Sequence, residues 1–308
     1  ERAQGRTRLV HLGRKGGAAA RLFDLVVTPA HARLWPHPHR FETLLPLSRV
    51  DDAELARAAD RFKDTLEADP VTPRIGVLVG GETSKFRFGV AEARRLAVDL
   101  EALSERLGGR LWVTTSPRTG AGPSEALGRE LGGPSHFFPW SSEGPETPYL
   151  GLLALCDLLV VTGESESMLA EACATDLPVL LYPLPAARGG VGLGGRLVDG
   201  LLARASAERS NERGTARPQR GLARWAARWV DEGFVRPTRD LPRLHRELIE
   251  SGRVQPFGDL PDLERQAPHR EAPEVAARVR RLMGVEAGDA VDAVDGPAVG
   301  SVAGAGPR

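Results

Sequence analysis

The stretch Leu158-Leu-Val-Val-Thr-Gly-Glu-Ser-Glu-Ser-Met-Leu-Ala-Glu-Ala-Cys-Ala-Thr-Asp-Leu-Pro-Val-Leu-Leu-Tyr182 decides the fold class. It opens with a run that is apolar at every position, breaks at Gly163, and resumes with helical spacing over Ser167–Ala174. Pro178 then leads into a second apolar run, Val179–Tyr182. A strand with one solvated face alternates apolar and polar residues. A strand that is apolar throughout is buried on both faces, which requires a parallel sheet covered by helices.

The same pattern extends upstream. Ile75-Gly-Val-Leu-Val-Gly80 reads as a strand and Ala91–Leu107 as its helix. Leu111–Thr115 is the next strand, followed by a Pro/Gly loop and a helix over Ser124–Leu131. His136–Phe138 is a short strand and Pro148–Leu155 a helix. Repeated strand–helix turns predict a doubly wound parallel sheet over residues 70–200. Ahead of it, Leu9–Leu12 and Asp24–Val27 read as strands and Asp51–Leu66 as a helix, with Asp69-Pro-Val-Thr-Pro73 as the boundary. Two strands and one helix are too little for an independent domain. Residues 1–69 are therefore expected to be a partial amino-terminal α/β unit that packs on the main sheet or continues upstream. Helices are expected over Gly221–Glu232, Leu241–Ser251 and Ala272–Met283, making 201–283 a helical carboxyl-terminal region. Residues 284–308, poor in large apolar side chains, read as a disordered tail.

Composition narrows the function. The 308 residues carry 41 Lys+Arg against 41 Asp+Glu, so the basic excess typical of nucleic-acid binders is missing. The two cysteines, Cys156 and Cys173, lie in apolar stretches and form no CxxC pair, which argues against a disulfide scaffold or a thiolate zinc site. The longest apolar run, Leu150–Val161, contains Asp157 and falls far short of the roughly 20 residues that cross a bilayer. The chain opens Glu-Arg-Ala-Gln-Gly-Arg with no apolar signal segment and no initiator Met.

Ligands of open parallel sheets bind beyond the carboxyl ends of the strands. Three loops sit there: Gly80-Gly-Glu-Thr-Ser-Lys85, Thr115-Ser-Pro-Arg-Thr119 and Thr162-Gly-Glu-Ser-Glu-Ser167. Gly80, Gly81, Ser84, Lys85, Thr115, Ser116, Arg118, Thr162, Gly163, Ser165 and Ser167 combine small size, hydroxyls, backbone N–H groups and two cations. That is the chemistry a diphosphate needs. The plainer alternative is that these residues only cap helices and form turns. Convergence of three such loops on one sheet edge favours the anion site. Glu171 follows Ser167 by one helical turn, where a carboxylate can accept hydrogen bonds from a ribose diol. The alternative for Glu171 is an ion pair with a neighbouring cation. The glycine-rich run 189–195 lacks the Lys-Ser/Thr of a phosphate loop and reads as a linker, and no three-glycine dinucleotide fingerprint follows the first strand.

His31, His37 and His39 share a Pro-rich segment, but prolines on both sides of His37 give no preset ligand geometry, so no metal is expected. His31, just after a strand, has the better claim to a role, being expected to face a cleft between the two units. No Ser-His-Asp constellation is legible.

Several stretches together resemble one known family. They are Phe23-Asp-Leu-Val-Val-Thr-Pro-Ala-His31, Val77-Leu-Val-Gly-Gly81 with Ser84-Lys-Phe-Arg-Phe88, Val113-Thr-Thr-Ser-Pro-Arg-Thr119, Pro148–Asp157 and Val160–Pro178. The family is the mitochondrial-fission "elongated mitochondria" family, whose bacterial members resemble nucleotide-sugar glycosyltransferases. The likeness covers about residues 9–185 and is specific through the joint order of its motifs. It implies a GT-B-like architecture, with two Rossmann-like domains facing each other across a cleft. The second would bind a nucleotide-diphosphate sugar as substrate, with no further cofactor. Metal-independent sugar transfer to a lipid-linked, cell-envelope or polysaccharide acceptor would follow. Glu171 would meet the ribose, while Lys85, Arg118 and the helix start near Ser165 would offset charge on the leaving diphosphate. Any general base would come from the first domain, with His31 as the candidate. A cytoplasmic location, peripheral to the inner membrane, is the corresponding expectation.

The departures concern Gly163-Glu-Ser165 where the family has Gly-Asp-Ser, Thr175-Asp176 for Thr-Gly, Pro117-Arg118 for a double Arg, and Ala32 where an acid is more usual. The family's first strands and glycine-rich opening loop have no counterpart here. The eukaryotic branch of the family implies an alternative, a non-catalytic recruiter that binds protein, with the Arg-rich helices of 217–253 as its surface. A nucleotide-sugar epimerase is rejected, since neither Tyr149 nor Tyr182 has a Lys four residues on.

Overall fold

Two parallel sheets organise the protein in a computed structural model that describes residues 7–13, 17–34, 37–132, 135–143, 147–187, 200, 221–231 and 239–284. The first is three-stranded, in the order β1 (Val10–Leu12), β2 (Leu25–Pro29), β3 (Arg40–Thr43). Short 3-10 turns at Gly17–Leu22 and Ala30–Ala32 flank β2. Helix α1 (Asp52–Leu66) follows, capped by Asp51, whose carboxylate accepts the Glu54 N–H at 2.8 Å.

The second sheet has six strands in the order β6 (His136–Phe138), β5 (Arg110–Thr115), β4 (Arg74–Val79), β7 (Leu158–Thr162), β8 (Val179–Tyr182), β9 (Gln255–Pro256). Every pairing is parallel. Numbered within this sheet the order is 3-2-1-4-5-6, the doubly wound arrangement whose strand order reverses between β4 and β7. Because successive residues of a strand face opposite ways, each strand feeds two cores. Leu78, Trp112, Leu159, Val161 and Leu181 face one, with residues of α4 (Tyr149–Leu155), α5 (Glu166–Cys173) and α7 (Leu241–Glu250). Ile75, Val77, Leu111, Val113, Val160 and Leu180 face the other, with α2 (Val90–Leu107) and α3 (Ala121–Glu130). Burial on both faces is the physical reason these strands carry no polar alternation.

The α/β reading holds, with element ends moved by a few residues. Two strands escape the sequence pattern. β3 reads Arg-Phe-Glu-Thr, with too much charge to register as a buried run. β9 is two residues long and contains Pro256, which is tolerated because it lies at the sheet edge. β9 and α7 also show that the carboxyl-terminal region is not purely an appended helical layer, since both join the second sheet and its core. α6 (Gly221–Asp231) and α8 (Ala272–Met283) follow the expected spans. The segment before α8 ties the two sheets together. The His269 N–H donates to the Cys173 carbonyl at 2.7 Å, and Glu271 accepts the N–H groups of Leu44 at 2.9 Å and Leu45 at 3.1 Å. The glycine-rich run 189–195 and the tail 285–308 lie outside the described residues.

Candidate functional site

The switch point lies between the carboxyl ends of β4 and β7, and the three loops meet there. Thr162, at the end of β7 and fully buried, accepts the Gly80 N–H at 2.9 Å. Ser116 donates through Oγ to the Gly80 carbonyl, and Thr119 donates to the same oxygen at 2.8 Å. Arg118 donates from Nη2 to the Ser165 Oγ at 3.0 Å, which joins the β5 loop to the start of α5. Thr115 accepts the Trp140 N–H at 2.9 Å and so holds the segment after β6. With the Arg118 N–H donating to the Ser116 Oγ at 3.2 Å, Gly80, Ser116, Arg118, Thr162 and Ser165 form one network, which Gly81 joins through Glu164, while Thr115 bonds outward to Trp140.

At its centre is a residue the sequence marked only as a departure. Glu164, 2% exposed, accepts the Gly81 N–H on Oε1 at 2.6 Å. Its Oε2 is buried with no hydrogen-bonding partner among the described residues. A Cβ on Gly80 would collide with Oε1. Gly81 has φ +138° and a Cβ there would strike the Arg118 backbone, so this position also needs glycine. The two glycines make room for an internal carboxylate as well as for the turn. Burial pushes the Glu164 pKa up to about 7, against the opposing pull of its hydrogen bonds and of Arg118. The signal was present in the sequence, an acid between Gly163 and Ser165, but only the packing shows that it points inward.

A second cluster lies where the first unit meets α5. His31 is fully buried, and its Nε2 pairs with the Glu166 carboxylate. Its Nδ1 is buried without a partner among the described residues. Arg239 also binds Glu166, Lys85 donates to the Arg239 carbonyl, and the Asp240 N–H donates to the His31 carbonyl at 2.8 Å. His245 donates from Nε2 to the Gly163 carbonyl at 2.6 Å, and burial lowers its pKa. Lys85 and Gly163 thus belong to this second cluster as well as to their own loops. His31 was expected to face a cleft, but it is packed between the two units. Glu166, Arg239 and His245 were invisible as partners because each is remote in sequence from what it touches.

Glu171 stands apart. Among the described residues it pairs with no cation, and its carboxylate accepts the hydroxyl of Tyr149 from α4. Burial raises its pKa, and the Tyr149 hydrogen bond opposes the rise. Ser84 and Ser167 are exposed. A cleft of about 460 Å3 opens beside the first network, lined by Thr115, Ser116, Phe137, Trp140, Ser141 and Ser142 among others. His37 and His39 stack edge-on with centroids 5.0 Å apart, and among the described residues no group of three His, Cys, Asp or Glu could hold a metal.

An open, doubly wound parallel sheet with a hydroxyl- and glycine-rich switch point defines an α/β protein of the Rossmann-like class. The chain belongs to the mitochondrial fission ELM1 family, whose family model matches residues 1–230. It is 32% identical over 179 residues to mitochondrial fission protein ELM1 of Arabidopsis thaliana, a match covering 51% of this chain and 41% of that protein. The matched region is thus well under half the length of that curated relative.

Among solved structures, the chain is similar to MurG of Acinetobacter baumannii at 14% identity, with 89% of this chain and 65% of that chain covered and a TM-score of 0.34. It is also similar to WaaG, a glycosyltransferase involved in lipopolysaccharide biosynthesis, at 18% identity, 79% and 57% coverage and a TM-score of 0.31. For UGT2 of Phytolacca americana, complexed with UDP-2fluoro-glucose and pterostilbene, the values are 13%, 76% and 54%, and 0.31.

Proposed function

We propose that the protein is a GT-B-like glycosyltransferase that takes a nucleotide-diphosphate sugar as donor and needs no metal. The observation that carries this reading is the convergence of the β4, β5 and β7 loops on the switch point, with Arg118 and Ser165 joined at 3.0 Å. Backbone N–H groups at the start of α5, together with the Arg118 guanidinium, would hold the diphosphate and offset charge as it leaves. The cleft beside Trp140 offers an aromatic wall for the base. Glu171, now satisfied by Tyr149, would exchange that hydroxyl for those of a ribose. The acceptor would be a lipid-linked or polysaccharide molecule of the cell envelope, approached from the first unit in the cytoplasm. His31 can act as a base toward it only if the first unit moves away from α5, since Glu166 holds its Nε2.

A second reading, a non-catalytic recruiter that binds protein, is favoured by one observation. The Gly81 N–H, a natural phosphate donor, is already occupied by Glu164. Calorimetric titration with UDP, GDP, ADP and CMP separates the two. Binding of one nucleotide by the wild type, lost in Glu171→Ala, supports the transferase. A folded chain that binds none of them overturns it and leaves the recruiter.

A further inference from the structure

The described surface contains one helix whose apolar side faces solvent. In α6, Gly221-Leu-Ala-Arg-Trp-Ala-Ala-Arg-Trp-Val-Asp231, the residues Leu222, Trp225 and Trp229 are spaced by three and four and share one face. They are 69%, 61% and 46% exposed. Arg224 and Arg228, four apart, are also exposed, and Arg228 lies one turn after Trp225 at the edge of that face. Helix α6 packs against the 3-10 turn Gly17–Leu22 of the first unit, and that turn exposes Leu22 as well. Large apolar side chains left in water on one element cost free energy unless something covers them.

Charge identifies the occupant. The whole chain is neutral, yet residues 217–238 hold five arginines against two acids, Asp231 and Glu232, with Arg239 beyond them already paired to Glu166. This stretch is therefore basic against a remainder in which acids slightly outnumber bases. The 11 residues of α6 are too few to cross a bilayer but enough to lie along one. Tryptophan suits the boundary between headgroups and acyl chains, because its ring is apolar and its indole N–H stays hydrated. Arginine can rest its apolar stem on the same boundary and send its charge to the phosphates.

We propose that α6 is an in-plane membrane anchor that seats Leu222, Trp225 and Trp229 in the surface of an anionic bilayer while the surrounding arginines pair with lipid headgroups. Two tryptophans and a leucine bury too little surface to hold the protein alone, so attachment depends on negative lipid and weakens with salt. The surface lies outside the switch-point loops, and the proposal does not depend on nucleotide binding.

The test is sedimentation of the full chain with vesicles of phosphatidylcholine containing about 30 mol% phosphatidylglycerol, against phosphatidylcholine alone. The wild type is expected to sediment with the anionic vesicles, to be released by salt, and to show a blue shift of tryptophan emission. The double substitution Trp225→Ser/Trp229→Ser is expected to lose about tenfold in binding with an unchanged circular-dichroism spectrum and Tm. Trp225→Phe/Trp229→Phe should still bind but lose the blue shift. No binding to anionic vesicles, or equal binding by the double serine variant, overturns the proposal. Self-association abolished by the serine pair, without vesicle binding, assigns the face to a second copy of the chain and equally overturns it.

Discussion

Glu164 and Gly81 are bound to each other across the switch point, the carboxylate of one accepting the backbone N–H of the other at 2.6 Å. The contact couples the end of β7 to the end of β4 and leaves the second carboxylate oxygen buried. An ionised carboxylate in that position lacks solvation on one side, so the neutral acid is the better folded form.

The first prediction concerns pH. The folded pKa of Glu164, about 7, lies above the ordinary 4.5, so its stabilising contribution is complete below about pH 4.5 and is lost as the pH rises through 7. A shift of that size corresponds to about 3 kcal/mol. Glu164→Gln keeps an acceptor for Gly81 and cannot ionise. Urea unfolding between pH 5 and 8, a window of about three units, should show the wild type weakening relative to the variant, with Gln the more stable at the upper end. Parallel pH profiles for the two proteins would refute the buried-acid assignment.

Gly81→Ala should be severe. The positive φ disfavours any side chain, and the new Cβ meets rigid backbone at Arg118. A loss of about 3 kcal/mol or more is expected, against about 1 kcal/mol for Gly252→Ala, where φ is +70° and the space is open. Denaturant midpoints measured side by side decide the matter.

His31→Ala removes a fully buried imidazole that joins the first unit to α5 through Glu166. The expected cost is about 2 kcal/mol, in line with a hydrogen bond to a charged group. Hydrogen exchange should show faster opening in β2 and in the first turn of α5. A variant that retains full stability while losing sugar transfer would instead mark His31 as the catalytic base.

Tyr149→Phe takes away the hydroxyl that meets Glu171. Because that hydrogen bond opposes the burial-driven rise, the Glu171 pKa should climb further in the variant. Carboxyl chemical shifts followed by NMR titration would report it, and an unchanged titration would show that the contact is not kept in solution.

Much of the second unit was legible from residues alone. The uninterrupted apolar runs at β4, β5, β7 and β8 could only be strands buried on two faces, and His136–Phe138 and Ala272–Met283 kept their expected ends. The three hydroxyl-rich loops were placed correctly because a parallel sheet sends every strand end to the same edge. The short strands β3 and β9 were not legible, since two to four residues carry no period to detect.

By itself the sequence determined the α/β class, the parallel sheet and the loops at its carboxyl edge, because these follow from local periodicity and from breaks at Gly and Pro. Only the tertiary structure decided which polar residues meet. Glu164 turns inward onto Gly81, His31 closes on Glu166 from 135 positions away, and Glu171 is satisfied by Tyr149. The reason is physical. A strand's burial is set by its own run of side chains, whereas the partner of a buried charge is set by chain segments that packing alone brings together.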